Sequence, residues 1–280
     1  CYWETLLLLR RIMEQDPATC RAIATRAADA RIRLEARRRA PRPGAPDIAR
    51  LYAAADPAAT PAAIAPAPGG GISLREQLGK ALGHLNQASS GAILVGAADL
   101  LDSTAISAAA AGFAPGFLQF GSNPASRTLS VGGICEDGLS CVLSGLSAFG
   151  QHAGAGASYG AFLAPLGHIA ARLHAIGNQM RPQVEPGPYR PFMLICGHAG
   201  MKTGEDGPTH ADPQALQVLQ ENFVAGTAIT LTPWEPAEVW PLVAAAFRAH
   251  PALIAPFVTR PKEPIPDRAA LGFPPAEAAA

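Results

Sequence analysis

Between residues 200 and 210 the chain reads GMKTGEDGPTH, where three glycines and a proline surround Glu205, Asp206 and His210. Neither a helix nor a strand favours that mixture, whereas a loop of small residues on a stiff backbone lets a substrate come close. With His198 just upstream, the acids and imidazoles also invite a metal reading. The tight helical H-x-x-x-H or H-x-x-E-H spacing of such sites is missing, so a substrate-binding loop is the better account and no metal ligand is assigned. GASYG at 156–160 fits the G-x-S-x-G nucleophile elbow, with Ser158 followed by Asp206 and His210 in the order of a triad. Its preceding segment is rich in glycine and alanine, and both partners would share one short loop, so that reading is set aside. SVGGICEDGLSC at 130–141 puts Glu136 where a glycine turn becomes a helix. A first-turn carboxylate there can simply complement the helix dipole, or, if desolvated, do acid–base work.

The elements that must position these residues follow from the hydrophobic pattern. Residues 1–40 are rich in helix formers, and residues 41–71 are an Ala/Pro/Gly-rich stretch with linker composition. From residue 72 helix-like and strand-like segments alternate. Strands are expected at GAILVGAADL, RTLSVGG, AGAGASYG, PFMLICG, TAITLTP and ALIAPFVTR, with helical segments between them. This alternation predicts an α/β fold: a mostly parallel six-stranded sheet with helices on both faces, preceded by a helical and linker segment. The division expected is 1–71, 72–262 and a tail at 263–280. In such sheets the working loops leave the carboxyl ends of the strands. Asp99, Glu136, the 198–210 segment and Arg260 all fall there.

Composition limits the partners. Of 280 residues, 49% are apolar and 16% charged, with 22 basic and 22 acidic side chains in balance. That balance provides no general attraction to nucleic acid or to acidic membranes. Eight arginines between Arg21 and Arg42 lack interleaved aromatics and read as a solvated helix face. The run TLLLL is too short to span a bilayer. Five cysteines without a C-x-x-C pair fit reduced thiols and a cytoplasmic setting. The initial Cys1 suggests a segment of a longer chain.

GEDGPTH at 204–210, GAADLLDST, GGICEDG and APFVTRP occur in an order that resembles the pyrimidine-binding, central domain of transketolase. The likeness covers about residues 72–262, and Gly204 to His210 match the family's loop letter for letter. It implies a transferase that moves a two-carbon ketol unit from a ketose phosphate to an aldose phosphate through thiamin diphosphate. Glu136 matches the glutamate that activates the cofactor, and Asp99, Phe162 and His168 fall at pyrimidine-pocket positions. The resemblance gives His198 and His210 catalytic and substrate contacts, and Asp206 the donor's hydroxyl. Arg75, Ser103 and Arg260 match positions around the sugar's distal phosphate. Cys135 stands where the family has arginine, Ala199 where it has aspartate, and Pro165 where an aromatic ring is usual. The family's diphosphate- and Mg2+-binding G-D-G motif with its following asparagine does not occur in these 280 residues. The implied partner is therefore a diphosphate-binding domain or subunit, in a homodimer or heteromer. A deoxyxylulose-phosphate synthase, an E1-type dehydrogenase β subunit or a non-catalytic assembly subunit of the same fold are the alternatives.

Overall fold

In a computed structural model of the chain, the described residues are 2–163 except 39 and 41, then 168–183, 187–197, 199, 214–219 and 223–280. They divide into two compact units, residues 1–45 and 46–280. The first contains α1 (Tyr2–Gln15) and α2 (Pro17–Ala36). Asp16 starts α2 by accepting a hydrogen bond from the Thr19 amide at 3.0 Å, and Pro17 occupies the first turn, where its missing N–H costs nothing. No residue of α2 is buried, as expected for a solvated face.

The second unit begins with α3 (Ile48–Ala54), followed by β1 (Gly71–Ser73), α4 (Leu74–Ala88) and β2 (Ile93–Gly96). Next come α5 (Glu136–Phe149), β3 (Ala153–Ser158), the single turn α6 (Gly160–Phe162), α7 (His168–Met180) and β4 (Phe192–Cys196). The chain continues through α8 (Gln214–Leu219), β5 (Ala228–Leu231), α9 (Val239–Arg248), β6 (Leu253–Pro256) and β7 (Lys262–Pro264). β2, β3, β4, β6 and β5 form, in that spatial order, a parallel five-stranded sheet. Strand side chains alternate between its faces. Ile93, Val95, Met193, Ile195 and Ile254 pack with α4 and α9 on one side. Leu94, Phe192, Leu194, Leu253 and Ala255 pack with α5 and α7 on the other. Burial on both faces explains why these strands read as continuous apolar runs.

The second expected strand, RTLSVGG, is reduced to one parallel bridge between Thr128 and Val95. The Val95 amide donates to Arg127 O and the Leu129 amide to Val95 O, at 2.9 and 2.7 Å. On its outer side Thr128 O accepts from the Leu118 amide, so a loop occupies the edge. The chain then turns away through Gly132, whose φ of 81° lies in the region that glycine adopts without strain.

Part of the stretch expected to be linker belongs to the core. Leu51 and Ala55 are fully buried, and the Trp240 indole on α9 donates to Asp56 O and Ala59 O at 2.9 and 3.0 Å. β1 also pairs antiparallel with β7, joining residues 71–73 to the start of the expected tail. The glycine and alanine content of β3 has a packing cause. Ala153, Ala155 and Ala157 face α4 and α9, while Gly154, Gly156 and Ser158 point to the other side. α5 lies so close there that a Cβ on Gly154 would come within 2.2 Å of Leu143 O.

Candidate active site at the carboxyl ends of the strands

α5 runs against β3 so that its start lies beside the strand's last residue. Glu136 and Ser158 are 6% and 1% exposed, and the Ser158 hydroxyl donates to Glu136 Oε1 at 3.3 Å. Among the described residues this is the hydrogen bond that the Glu136 side chain makes. A buried carboxyl needs a hydrogen-bond partner, and Ser158 supplies one. Asp137, its neighbour, turns outward. It accepts from the Cys135 thiol at 2.9 Å and from the Gly138 amide at 2.8 Å. These bonds, the thiol's first, hold the Asp137 carboxyl below the usual carboxylate range, and the bond to Asp137 pushes the Cys135 thiol up. Two adjacent acids thus have separate jobs, with Asp137 stabilising the turn and Glu136 lining the interior.

Ser158 lacks the strained turn of a nucleophile elbow. It is a regular strand residue with negative φ, its carbonyl accepts from the Gly197 amide at 2.9 Å, and its hydroxyl faces a carboxylate. Sequence reasoning missed its pairing with Glu136. The signal was present in the alternation AGAGAS, which gives β3 a small-residue face for a helix and ends that face on a hydroxyl.

Beyond β3, the Tyr159 and Phe162 rings lie 6.4 Å apart and inclined by 22°. Tyr159 is buried and Phe162 is 37% exposed. His168 is the first residue of α7. The end of β3 thus has beside it a buried carboxyl able to bond a ring nitrogen, and the turn that follows carries an accessible aromatic.

The arginine positions meet at the same end of the sheet. Arg75, in the first turn of α4, donates from Nη1 to Ser103 O in the loop after β2. Its amide donates to Thr259 O at 3.4 Å, which brings the following residue, Arg260, alongside. Arg75, Ser103 and Arg260 are each half-buried. Thr104 packs on Gly197 so closely that a Cβ there would be 3.0 Å from Thr104 Cγ2, which ties this loop to the end of β4. Asp99 is exposed in the bend after β2. His198, Asp206 and His210 lie outside the described residues, as do Glu205 and Pro165. Among the described residues, no three His, Cys, Asp or Glu side chains gather as metal ligands, and no helix is long and apolar enough to cross a membrane.

No protein-family model matches the chain, and no curated protein matches it. Solved structures do. Transketolase from Leishmania mexicana superposes with a TM-score of 0.55 and 22% identity, over 77% of this chain and 30% of that one. Transketolase from Campylobacter jejuni gives 0.56 and 20%, over 78% and 30%. The Pichia stipitis transketolase complex with sedoheptulose 7-phosphate gives 0.56 and 19%, over 76% and 28%. The chain thus has a transketolase-like α/β fold and spans about a third of the length of these enzymes.

Proposed function

We propose that the chain is the pyrimidine-binding domain of a thiamin diphosphate-dependent transketolase, as part of a longer chain or as one subunit of a split enzyme. The observation that carries this reading is the buried carboxyl of Glu136 at the carboxyl end of the sheet, with Ser158 as its partner. When bound, thiamin diphosphate supplies the carbon nucleophile that accepts and passes on the two-carbon unit. Glu136 hydrogen-bonds a ring nitrogen of the aminopyrimidine and holds a proton there. Phe162 gives that ring an apolar wall, and Asp99 and His168 complete the pocket's edge. Arg75, Arg260 and Ser103 grip the sugar's distal phosphate, for which guanidinium forks suit a dianion. His198 and His210 contact substrate oxygens and move protons, and Asp206 accepts from the donor's hydroxyl. A separate domain or subunit provides the ligands for the diphosphate and Mg2+. The complete site forms between the two, across a homodimer or within a heteromer.

The test is reconstitution. This chain is mixed with a transketolase diphosphate-binding domain, thiamin diphosphate and Mg2+, and ketol transfer from a ketose phosphate to an aldose phosphate is followed. Product that requires all four components is expected. Cofactor bound between the two proteins without any ketol transfer would rule the proposal out.

A further inference from the structure

Ser158 is a buried hydroxyl whose described side-chain bond runs 22 residues back along the sequence, to Glu136. Its backbone is fixed on both sides. Ser158 pairs with Cys196 of β4 in the parallel register, and its carbonyl accepts from the Gly197 amide. The strand places it by parity, since Gly154 and Gly156 on the same face admit α5 and leave the next residue of that face beside the helix's first turn. A hydroxyl is also chemically apt there. It donates to a carboxylate and accepts from a carboxylic acid, so it partners Glu136 in either protonation state, whereas an arginine would favour only the charged form.

We propose that Ser158 is the positioning residue for Glu136: its hydroxyl holds Oε1 and thereby aims Oε2 at the ligand. The catalytic consequence rests on the function proposed above, but the pairing can be read without any cofactor. The chain is labelled with 13Cδ-glutamate, and the Glu136 carboxyl resonance is assigned by its loss in Glu136→Gln. Ser158→Ala should displace that resonance while cooperative melting is retained, and Ser158→Thr should return it. If the alanine variant does not fold, Ser158→Cys makes the same comparison, because a thiol is a weak donor. In the reconstituted enzyme Ser158→Ala should lower kcat about tenfold or more, with recovery in Ser158→Thr and little change in the KM for sugar phosphate. A Glu136 resonance identical in wild type and a folded Ser158→Ala or Ser158→Cys would overturn the proposal, as would unchanged kcat in the alanine variant. A displaced resonance in an assembly that never transfers ketol units would instead count against the transketolase reading and leave the pairing intact.

Discussion

α4 and α5 both begin with a glutamate in the first turn, and they use it in opposite ways. At α4, Ser73 and Glu76 form a closed capping box: the Glu76 amide donates to Ser73 Oγ, while Glu76 Oε2 accepts from the Ser73 hydroxyl at 2.7 Å and its amide at 3.0 Å. Those two bonds, the hydroxyl's first, hold the exposed Glu76 carboxyl below the usual carboxylate range. At α5 the N-cap is Cys135, which makes no side-chain capping bond, and Glu136 is turned inward to Ser158. A helix that leaves its own start uncapped while burying an acid forgoes local stability. A carboxyl at a helix start is therefore informative through the direction it faces, and the second of these is turned into the fold.

Exchanging the two acids for amides should separate the roles. In the reconstituted enzyme, Glu136→Gln should reduce turnover about a hundredfold or more, because the proton and not the bulk of the side chain is used. Its melting curve should stay close to that of the wild type. Glu76→Gln should leave turnover near normal and register only in stability. Steady-state kinetics and thermal melts on both variants check this, and equal kinetic losses would erase the distinction.

The second effect concerns how α5 is held. Gly154→Ala would drive a methyl into Leu143 O, a backbone atom without freedom to retreat. The expected loss is about 1–3 kcal/mol in urea unfolding, together with a displaced Glu136. A smaller effect is expected at the α4 box, where Ser73→Ala should cost about 1 kcal/mol and leave the Glu136 resonance in place. The smallest is a pH effect. Burial pushes the His174 imidazole down, against the hydrogen bond that its Nε2 makes with Arg190 O at 2.7 Å. A neutral imidazole in the folded state and a protonated one in the unfolded state make stability full above about pH 6.5 and progressively lost as the pH falls below it. Acid titration of the melting temperature, with His174→Gln flattening part of that slope, is the check.

Much of this architecture was legible because a two-sided parallel sheet writes its strands as short apolar runs between helical stretches. Five of the six expected runs pair as strands, and Glu136 lies at the helix start that its glycine turn announced. RTLSVGG falls short because strand composition does not reveal that Leu118 occupies its outer edge. Residues 46–59 look like linker because alanine and proline dominate, yet Leu51 and the two carbonyls bonded by Trp240 join them to the core. Those are long-range contacts that local composition does not record. Ser158 was hidden by its own motif, since G-x-S-x-G suggested a nucleophile where parity and a glycine face make it a partner for an acid. The approach of the Arg75, Ser103 and Thr259–Arg260 segments depends on a helix start and two loops meeting, and these positions were reached through the family resemblance, since spacing alone leaves them unconnected.

The central claim, that these residues form the pyrimidine half of a divided cofactor site, is tested most directly by calorimetry of thiamin diphosphate with Mg2+ present. A pyrimidine pocket offers a ring contact and a few hydrogen bonds, too little to offset the cost of association without ligands for the diphosphate. The 280-residue chain alone should give no detectable heat of binding at micromolar concentrations. Adding a diphosphate-binding transketolase domain should produce binding stronger than that domain shows by itself, with the increment lost in Glu136→Gln. Micromolar or tighter binding by this chain alone would contradict the account.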